Sequence, residues 1–252
     1  MFEFELAPLD EVPVWGTPPD LSLGWFGLSW GQYWLDLGSV RLLEYSPGMR
    51  LPGLTRFVDY QVARFHEDLL EMLPDILEPL PAEVVAGLED GSLAVTAGRL
   101  SQAADADQRP REILEEALYV LYRRFFDTAY LAPRADIWMW SRGETLVVEW
   151  DNRGRMFEGA PAWTASHGRR EMATSEFREQ VTAFHRKFMA AMQERIDFVC
   201  AHWSRPEVKI DLRRLREEQL ERDAWLGPAL CPRSSDPAVW GAVRGELGPT
   251  YG

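Results

Sequence analysis

Four charged or titratable residues follow a predicted β-hairpin closely enough to form one polar site. Glu149, Asp151 and Arg153 lie at or just after the end of the hairpin, and His167 lies in the next predicted loop. A histidine, two carboxylates and an arginine at one sheet edge support acid–base chemistry or the binding of an anion. The same residues also suit ordinary turn and solvation roles, because spacing alone does not determine their mutual geometry.

Other signatures of catalysis or metal binding are weak. Cys200, His202 and Cys231 come nearest to a zinc site, but they lack the paired spacing of structural zinc sites. Asp105 and Asp107 offer too few oxygen ligands for a hard cation. The sequence contains no glycine-rich nucleotide loop and no nucleophile elbow. We therefore predict no catalytic motif, no metal and no cofactor.

Acidic charge is concentrated in one stretch of the chain. The formal net charge is −13, and residues 67 to 107 contain ten acids and one arginine. On a helical wheel, the acids at the start of this stretch fall opposite the apolar stripe and are predicted to face water. They are Glu67, Asp68, Glu71, Asp75 and Glu78, of which the first four are the expected contacts with a partner. Such a face either keeps a protein soluble or docks a basic protein partner. The charge argues against nucleic acid or an anionic membrane as the main partner.

Hydrophobic periodicity divides the chain into strands and helices. Residues 1–45 alternate in the manner of an antiparallel meander, and residues 136–150 are typical of a hairpin. Apolar residues at steps of three and four predict a helix over residues 58–76, and Pro74 predicts a break or kink near Leu73. Residues 151–173 are predicted to form a loop.

The order of these elements predicts an α+β fold. Strands, helices, a hairpin and further helices follow one another without the regular βαβ alternation of a parallel sheet. The hairpin would be marginally stable alone, so we expect it to join the N-terminal meander in one antiparallel sheet packed against several helices. Residues 1–226 are predicted to form a single domain that ends in a charged helix over 212–225, with Asp211 as its N-cap. Residues 227–252, rich in glycine and proline, are predicted to be a coil tail.

The clearest helix prediction covers residues 174–203. Its apolar side chains, among them Phe184 and Phe188, form one stripe that is expected to lie against the sheet carrying the hairpin tryptophans. Polar residues of this helix are then left in water. His185, like His66 on the earlier helix, is placed on a solvent-leaning side.

Tryptophan is unusually frequent in this chain, with eleven in all. Trp138 and Trp140 are two residues apart, so on a strand they share a face. Core packing explains such a pair, because tryptophan buries a large area. An exposed stripe that recognises a protein, a sugar or a base is the alternative.

Several runs of residues resemble an uncharacterised family of bacterial proteins of about this length. They are FEFELAPLDEV at 2–12, WG at 15–16, LGWFGL at 23–28, YW at 33–34, WSRG at 140–143 and VEWD at 148–151. The resemblance covers most of the chain. The family is similar in build to small acidic α+β proteins encoded beside bacterial toxins, and the resemblance implies no catalytic residues.

Two main functional hypotheses follow. The first is a non-enzymatic protein-binding module. One form of it is an immunity protein that neutralises a basic toxin through Glu67, Asp68, Glu71 and Asp75. The second is an enzyme whose polar site lies in the loops after the hairpin. A scaffold role through the 212–225 helix is the third. Two cysteines in a long chain, and an N-terminus without an apolar leader, favour a cytoplasmic protein.

Overall fold

The computed structural model describes residues 1–49, 53–87, 93–105 and 111–247. The chain divides into two units, each built from three separate segments. The first unit comprises Met1–Leu70, Gly154–Ala165 and Arg178–Ala229. The second comprises Glu71–Arg153, Ser166–Phe177 and Leu230–Gly252. The α+β class is confirmed, and the single domain over 1–226 stays a prediction.

The strands are mostly short, and they come from both halves of the chain. They are β1 (Phe2–Leu6), β2 (Leu21–Ser22), β3 (Trp30–Asp36), β4 (Arg41–Leu42), β5 (Val58–Gln61), β6 (Ile137–Arg142), β7 (Thr145–Asp151), β8 (Met156–Phe157), β9 (Ala160–Pro161), β10 (His167–Ala173) and β11 (Val208–Lys209). The helices are α1 (Trp25–Leu28), α2 (Val62–Leu77), α3 (Ala82–Gly87), α4 (Leu93–Asp105), α5 (Arg111–Tyr122), α6 (Thr174–His202), α7 (Leu212–Asp223), α8 (Leu226–Ala229) and α9 (Pro237–Leu247). Within the described residues, no helix has both the length and the apolar character needed to cross a membrane.

The first unit contains an antiparallel sheet in the order β1–β3–β4, with β5 also paired to β3. The long helix α6 packs on this sheet: the ring of Phe184 lies 5.7 Å from that of Phe2 and 5.9 Å from that of Phe4. The stripe was expected to lie on the sheet that carries the hairpin tryptophans, and at Phe184 it packs on the sheet that contains β1. Phe2 and Phe4 are two residues apart on β1, so their rings lie on the same face of the strand and contact the helix there.

Pro74 does not break α2, which continues to Leu77. Of the predicted break or kink near Leu73, the break does not occur, and the kink stays a prediction. Leu73 and Ile76, on either side of the proline, are fully buried. Burial of each such side chain contributes about 1.5–3 kcal/mol. Together these residues offset the cost of about 3 kcal/mol that a proline imposes inside a helix.

The second unit contains a separate antiparallel sheet in the order β10–β7–β6. Strands β6 and β7 are the predicted hairpin, and Gly143 in its turn has a φ of +55° that favours glycine. The prediction that the hairpin joins the N-terminal meander in one sheet was wrong. The third strand of this sheet, β10, lies in the segment that was predicted to be a loop. A strand could not be recognised there from the sequence, because the side chains of β10 are mostly exposed and show no apolar alternation.

Helices α3, α4, α5 and α9 contribute to the core of the second unit. Trp138 and Trp140 are 6% and 0% exposed and belong to this core. Val239, Trp240 and Val243 of α9 are buried in the same cluster. Their spacing of one, three and four residues is that of a helix face, so residues 237–247 form a packed helix and not the predicted coil. Residues 248–252 of the predicted tail lie outside the described residues.

Candidate functional site

Strand pairing assembles a row of polar residues at one end of the second unit's sheet. In the β7–β10 ladder, Arg169 lies directly opposite Glu149, and His167 lies directly opposite Asp151. In the β6–β7 ladder, Trp138 is the partner of Glu149. Side chains alternate across a strand and directly opposed residues share a face, so these five residues belong to the same face of the sheet. The register thus brings together residues that the sequence analysis assigned to separate segments.

A cavity of about 260 Å³ opens beside this row. It is lined by Ala94, Trp138, Glu149, Trp150, Asp151, Arg153, His167, Gly168 and Arg169. All four residues of the polar site predicted from the sequence are in this lining. Gly168 is required here, because a Cβ at that position would lie 2.4 Å from the ring of Trp150.

Glu149 is a buried carboxylate with a fixed orientation. Its Oε1 accepts hydrogen bonds from the backbone N–H groups of Leu93, at 2.7 Å, and Ala94, at 3.3 Å. These residues begin α4, so the carboxylate caps the helix and interacts favourably with its dipole. Burial raises the pKa of Glu149, and the two N–H groups, the nearby Trp140 indole and Arg169 counteract this in part. The Trp140 N–H itself lies outside normal hydrogen-bond geometry.

Asp151 experiences the opposite environment at the exposed end of β7. Its carboxylate accepts two hydrogen bonds from Arg153, from Nε at 2.9 Å and from Nη2 at 2.6 Å. These bonds lower the pKa of Asp151, and His167 acts in the same direction. The Nδ1 of His167 lies 3.1 Å from Oγ of Ser166. The side chains of Asp151 and Arg153 are 49% and 65% exposed, so a molecule in the cavity can reach both.

The two carboxyl groups of the cavity are therefore suited to different tasks. Glu149 favours its protonated form more than an ordinary glutamate, whereas Asp151 favours its ionised form. Paired acids whose environments shift their pKa values apart are a recurring arrangement for proton transfer. The neighbouring arginines supply hydrogen-bond donors for an anionic group. Among the described residues, no group of three or more histidine, cysteine or acidic side chains is placed to hold a metal ion.

A family model covers nearly the whole chain, including every residue that lines the cavity. The model describes a family of unknown function, DUF5984, and it matches residues 1–246. The chain belongs to this family. No curated protein and no solved structure matches it. The expected membership of an uncharacterised family is therefore confirmed, and the similarity to toxin-associated immunity proteins has no support.

The acidic stretch of this DUF5984 chain is partly neutralised within the first unit. Glu67 Oε1 lies 2.7 Å from Nε of Arg222, and the Glu67 side chain is 17% exposed. Asp68 Oδ1 lies 3.0 Å from Nε of Arg64, and Asp68 is buried. The prediction that these acids face water was wrong for Asp68 and holds only weakly for Glu67. For Glu67 the reason is that α7 brings Arg222 against this side of α2.

In the second unit, the other acids of the predicted face differ in their exposure to solvent. Glu71 is exposed. Asp75 is fully buried, and its Oδ1 lies 3.1 Å from Nε of Arg123 and 3.0 Å from Nε of Arg233. Burial raises the pKa of Asp75, and both arginines oppose that effect. The prediction of exposure was therefore wrong for Asp75, because arginines distant in sequence enclose it.

The prediction that His66 and His185 lie on solvent-leaning sides of their helices was wrong, because the two form a buried pair. His66 and His185 are 0% and 3% exposed, and Nε2 of His66 lies 2.9 Å from Nδ1 of His185. Oδ1 of Asp223 lies 3.6 Å from Nε2 of His185. Its charge favours a proton on that nitrogen, so in the neutral pair His66 donates to Nδ1 of His185. Burial lowers the pKa of His66 to about 3 and also lowers the pKa of His185.

The sequence did carry a signal for this histidine pair. His66 lies four residues after Val62, and His185 lies three residues before Phe188. These are the spacings of the apolar stripes of α2 and α6. A histidine at a stripe position is buried when a second element covers that edge of the helix, and sequence spacing does not reveal such coverage.

Proposed function

We propose that this chain acts on a small organic molecule held in the cavity of the second unit, with Glu149 as the group that transfers a proton. The observation that carries this proposal is the opposite pKa shift of two carboxyl groups lining one cavity. Perturbed titratable groups that converge on a cleft are a general feature of functional sites. This supports the enzyme hypothesis over the other hypotheses from the sequence.

The roles of the two acids follow from their surroundings. Oε1 of Glu149 is occupied by backbone N–H groups, so Oε2 is the oxygen left to exchange a proton with a bound molecule. Asp151 is held ionised by Arg153 and provides a fixed negative charge close by. Such a charge stabilises positive charge that develops on the bound molecule when it accepts a proton.

The protein-binding hypothesis, with a basic protein or toxin as the partner, stays a prediction. Glu67 and Asp75 already have arginine partners, and Asp68 is buried. A basic partner would have to displace these internal ion pairs, and of these four acids only Glu71 is openly exposed. The acidic stretch therefore offers less support for a binding function than the cavity offers for an enzymatic one.

The test combines binding and conversion. Backbone amide signals of Gly168 and Arg169 are followed by NMR while a panel of small organic acids, amines and sugars is added. Each compound that shifts these signals is then incubated with the wild type and with Glu149→Gln. The substitution keeps an Oε1 acceptor for α4 but removes the titrating group. We expect conversion to fall by about 100-fold or more, the usual contribution of a general acid or base.

The matched control is Glu144→Gln, an exposed acid in the turn of the same hairpin. It should leave conversion unchanged. Urea melts of both variants verify that the fold is retained. Conversion by Glu149→Gln at the wild-type rate would refute the proposal, and so would a panel in which no compound reaches the cavity.

A further inference from the structure

Side chains that donate hydrogen bonds surround the mouth of the cavity. Arg169 and His167 project from β10 on the same face as Glu149, and Arg153 follows β7. An arginine guanidinium presents a planar fork of N–H donors that matches a carboxylate in a bidentate manner. Two such forks on one cavity are a recognition element for an anionic group.

The arginine forks are held in place by contacts that a ligand can replace. Arg153 is bound to Asp151, and Arg169 Nη2 lies 2.9 Å from Oε1 of Glu171. Ion pairs this exposed contribute little net stability, so an incoming carboxylate can compete with the internal one. The guanidinium of Arg169 also lies 5.1 Å from the centre of the Trp140 ring, which restrains its position.

Aromatic surface forms the apolar part of the lining. Trp138, on the same face of the sheet as Glu149 and Arg169, is only 6% exposed, so its ring is packed in place before any ligand arrives. A preformed apolar lining with a few placed polar groups is the usual design of a small-molecule site. With about 260 Å³ available, the cavity suits a single flat ring with a short substituent.

Two acids in the lining do not exclude an anion. Asp151 is paired with Arg153, which offsets its negative charge. Burial raises the pKa of Glu149, so this carboxyl group opposes a bound anion less than an exposed glutamate would. Arg169 and Arg153 together supply two positive charges to the lining, against the one negative charge of Asp151.

We propose that the cavity binds a small planar organic acid, with its carboxylate on Arg169 and Arg153 and its ring against the tryptophan surface. This inference rests on the proposed function, because it names the ligand class of the same cavity. It requires a negative charge on the ligand, whereas proton transfer by Glu149 does not.

The experiment uses benzoate and its neutral analogue benzamide as probes on the full chain. Binding is followed through the amide signals of Gly168 and Arg169 in NMR titrations. Arg169→Met keeps an unbranched side chain over Trp140 but removes the fork. The control is Arg170→Met, the next residue on β10, which alternates to the opposite face of the sheet. Urea melts verify the fold of each variant.

We expect saturable binding of benzoate to the wild type and much weaker binding of benzamide. Arg169→Met should weaken benzoate binding by about tenfold or more, the usual effect of losing a charged hydrogen bond. Arg170→Met should leave binding unchanged. Arg153→Met provides a second variant away from β10 and should also weaken binding.

Three results would overturn the inference. They are the absence of saturable benzoate binding, equal affinity for benzamide and benzoate, and unchanged affinity in both Arg169→Met and Arg153→Met. Glu149→Gln should still bind benzoate. Failure of the anion inference is therefore distinguishable from failure of the proton-transfer proposal, which depends on the loss of conversion in Glu149→Gln.

Discussion

Replacing His66 by phenylalanine should reduce the sensitivity of folding to acid. His66 is fully buried, and its pKa is lowered from an ordinary value of 6.5 to about 3. Between these two values the unfolded chain binds a proton that the folded chain does not. Stability from this group is therefore fully present above pH 6.5 and is lost as the pH falls towards 3.

The magnitude follows from the size of the shift. One pKa unit corresponds to about 1.4 kcal/mol. At pH 5, which is about 1.5 units below the unfolded pKa, His66 should lower the free energy of unfolding by about 2 kcal/mol. Phenylalanine suits the aromatic surroundings, since the His66 ring lies 5.0 Å from that of Phe188. It leaves Nδ1 of His185 without a donor, which costs about 1–3 kcal/mol at every pH.

Urea melts at pH 7 and pH 5 measure this effect as a difference. The loss of stability between the two pH values should be smaller in His66→Phe than in the wild type by about 2 kcal/mol. Groups that titrate elsewhere cancel in this comparison. His202→Phe is the control, because it removes an exposed histidine at the end of α6 and leaves the buried pair intact. Equal losses in the wild type and His66→Phe would refute the reasoning.

Three further substitutions can be measured in the same urea melts. Phe184→Ala removes a buried ring between α6 and the first sheet and should cost about 3–5 kcal/mol, whereas exposed Arg186→Ala should change stability by less than about 0.5 kcal/mol; equal effects would contradict the packing of α6. Burial raises the pKa of Asp75, so its ionised form is disfavoured in the folded chain, and both arginine partners are partly exposed; Asp75→Asn should therefore cost less than the loss of a fully buried ion pair, which is about 3–5 kcal/mol, and a cost in that range would contradict the dominance of burial. Trp240→Ala should cost about 3–5 kcal/mol if α9 belongs to the core, and a neutral result would restore the coil prediction.

Elements with a strong local pattern were predictable from the sequence. The long helix was expected over residues 174–203 and spans Thr174–His202. The hairpin was expected over residues 136–150 and spans β6 and β7. Asp211 was expected to cap the last charged helix, and its side chain accepts a hydrogen bond from the N–H of Arg214 at 3.0 Å. These features depend on residues within a few positions of one another, which periodicity and capping preferences describe directly.

The candidate site was only half predictable. The residue types at Glu149, Asp151, Arg153 and His167 indicated acid–base or anion chemistry. Their convergence depends on β10, a polar edge strand whose side chains carry no apolar alternation. Glu149 caps α4 at Leu93, which is 56 residues away in sequence. A contact over that distance cannot be predicted from local sequence patterns.

The sequence by itself determined the α+β class, the amphipathic helices and the chemical types of the polar residues, because these follow from local periodicity and composition. Tertiary structure decided which charges are exposed and which groups titrate abnormally. Arg222 meets Glu67 across 155 residues, and Arg233 meets Asp75 across 158. Burial and charge pairing set a pKa through the surroundings of a side chain. In this chain those surroundings come from elements far away in sequence, so one acidic stretch divides into buried, paired and exposed residues.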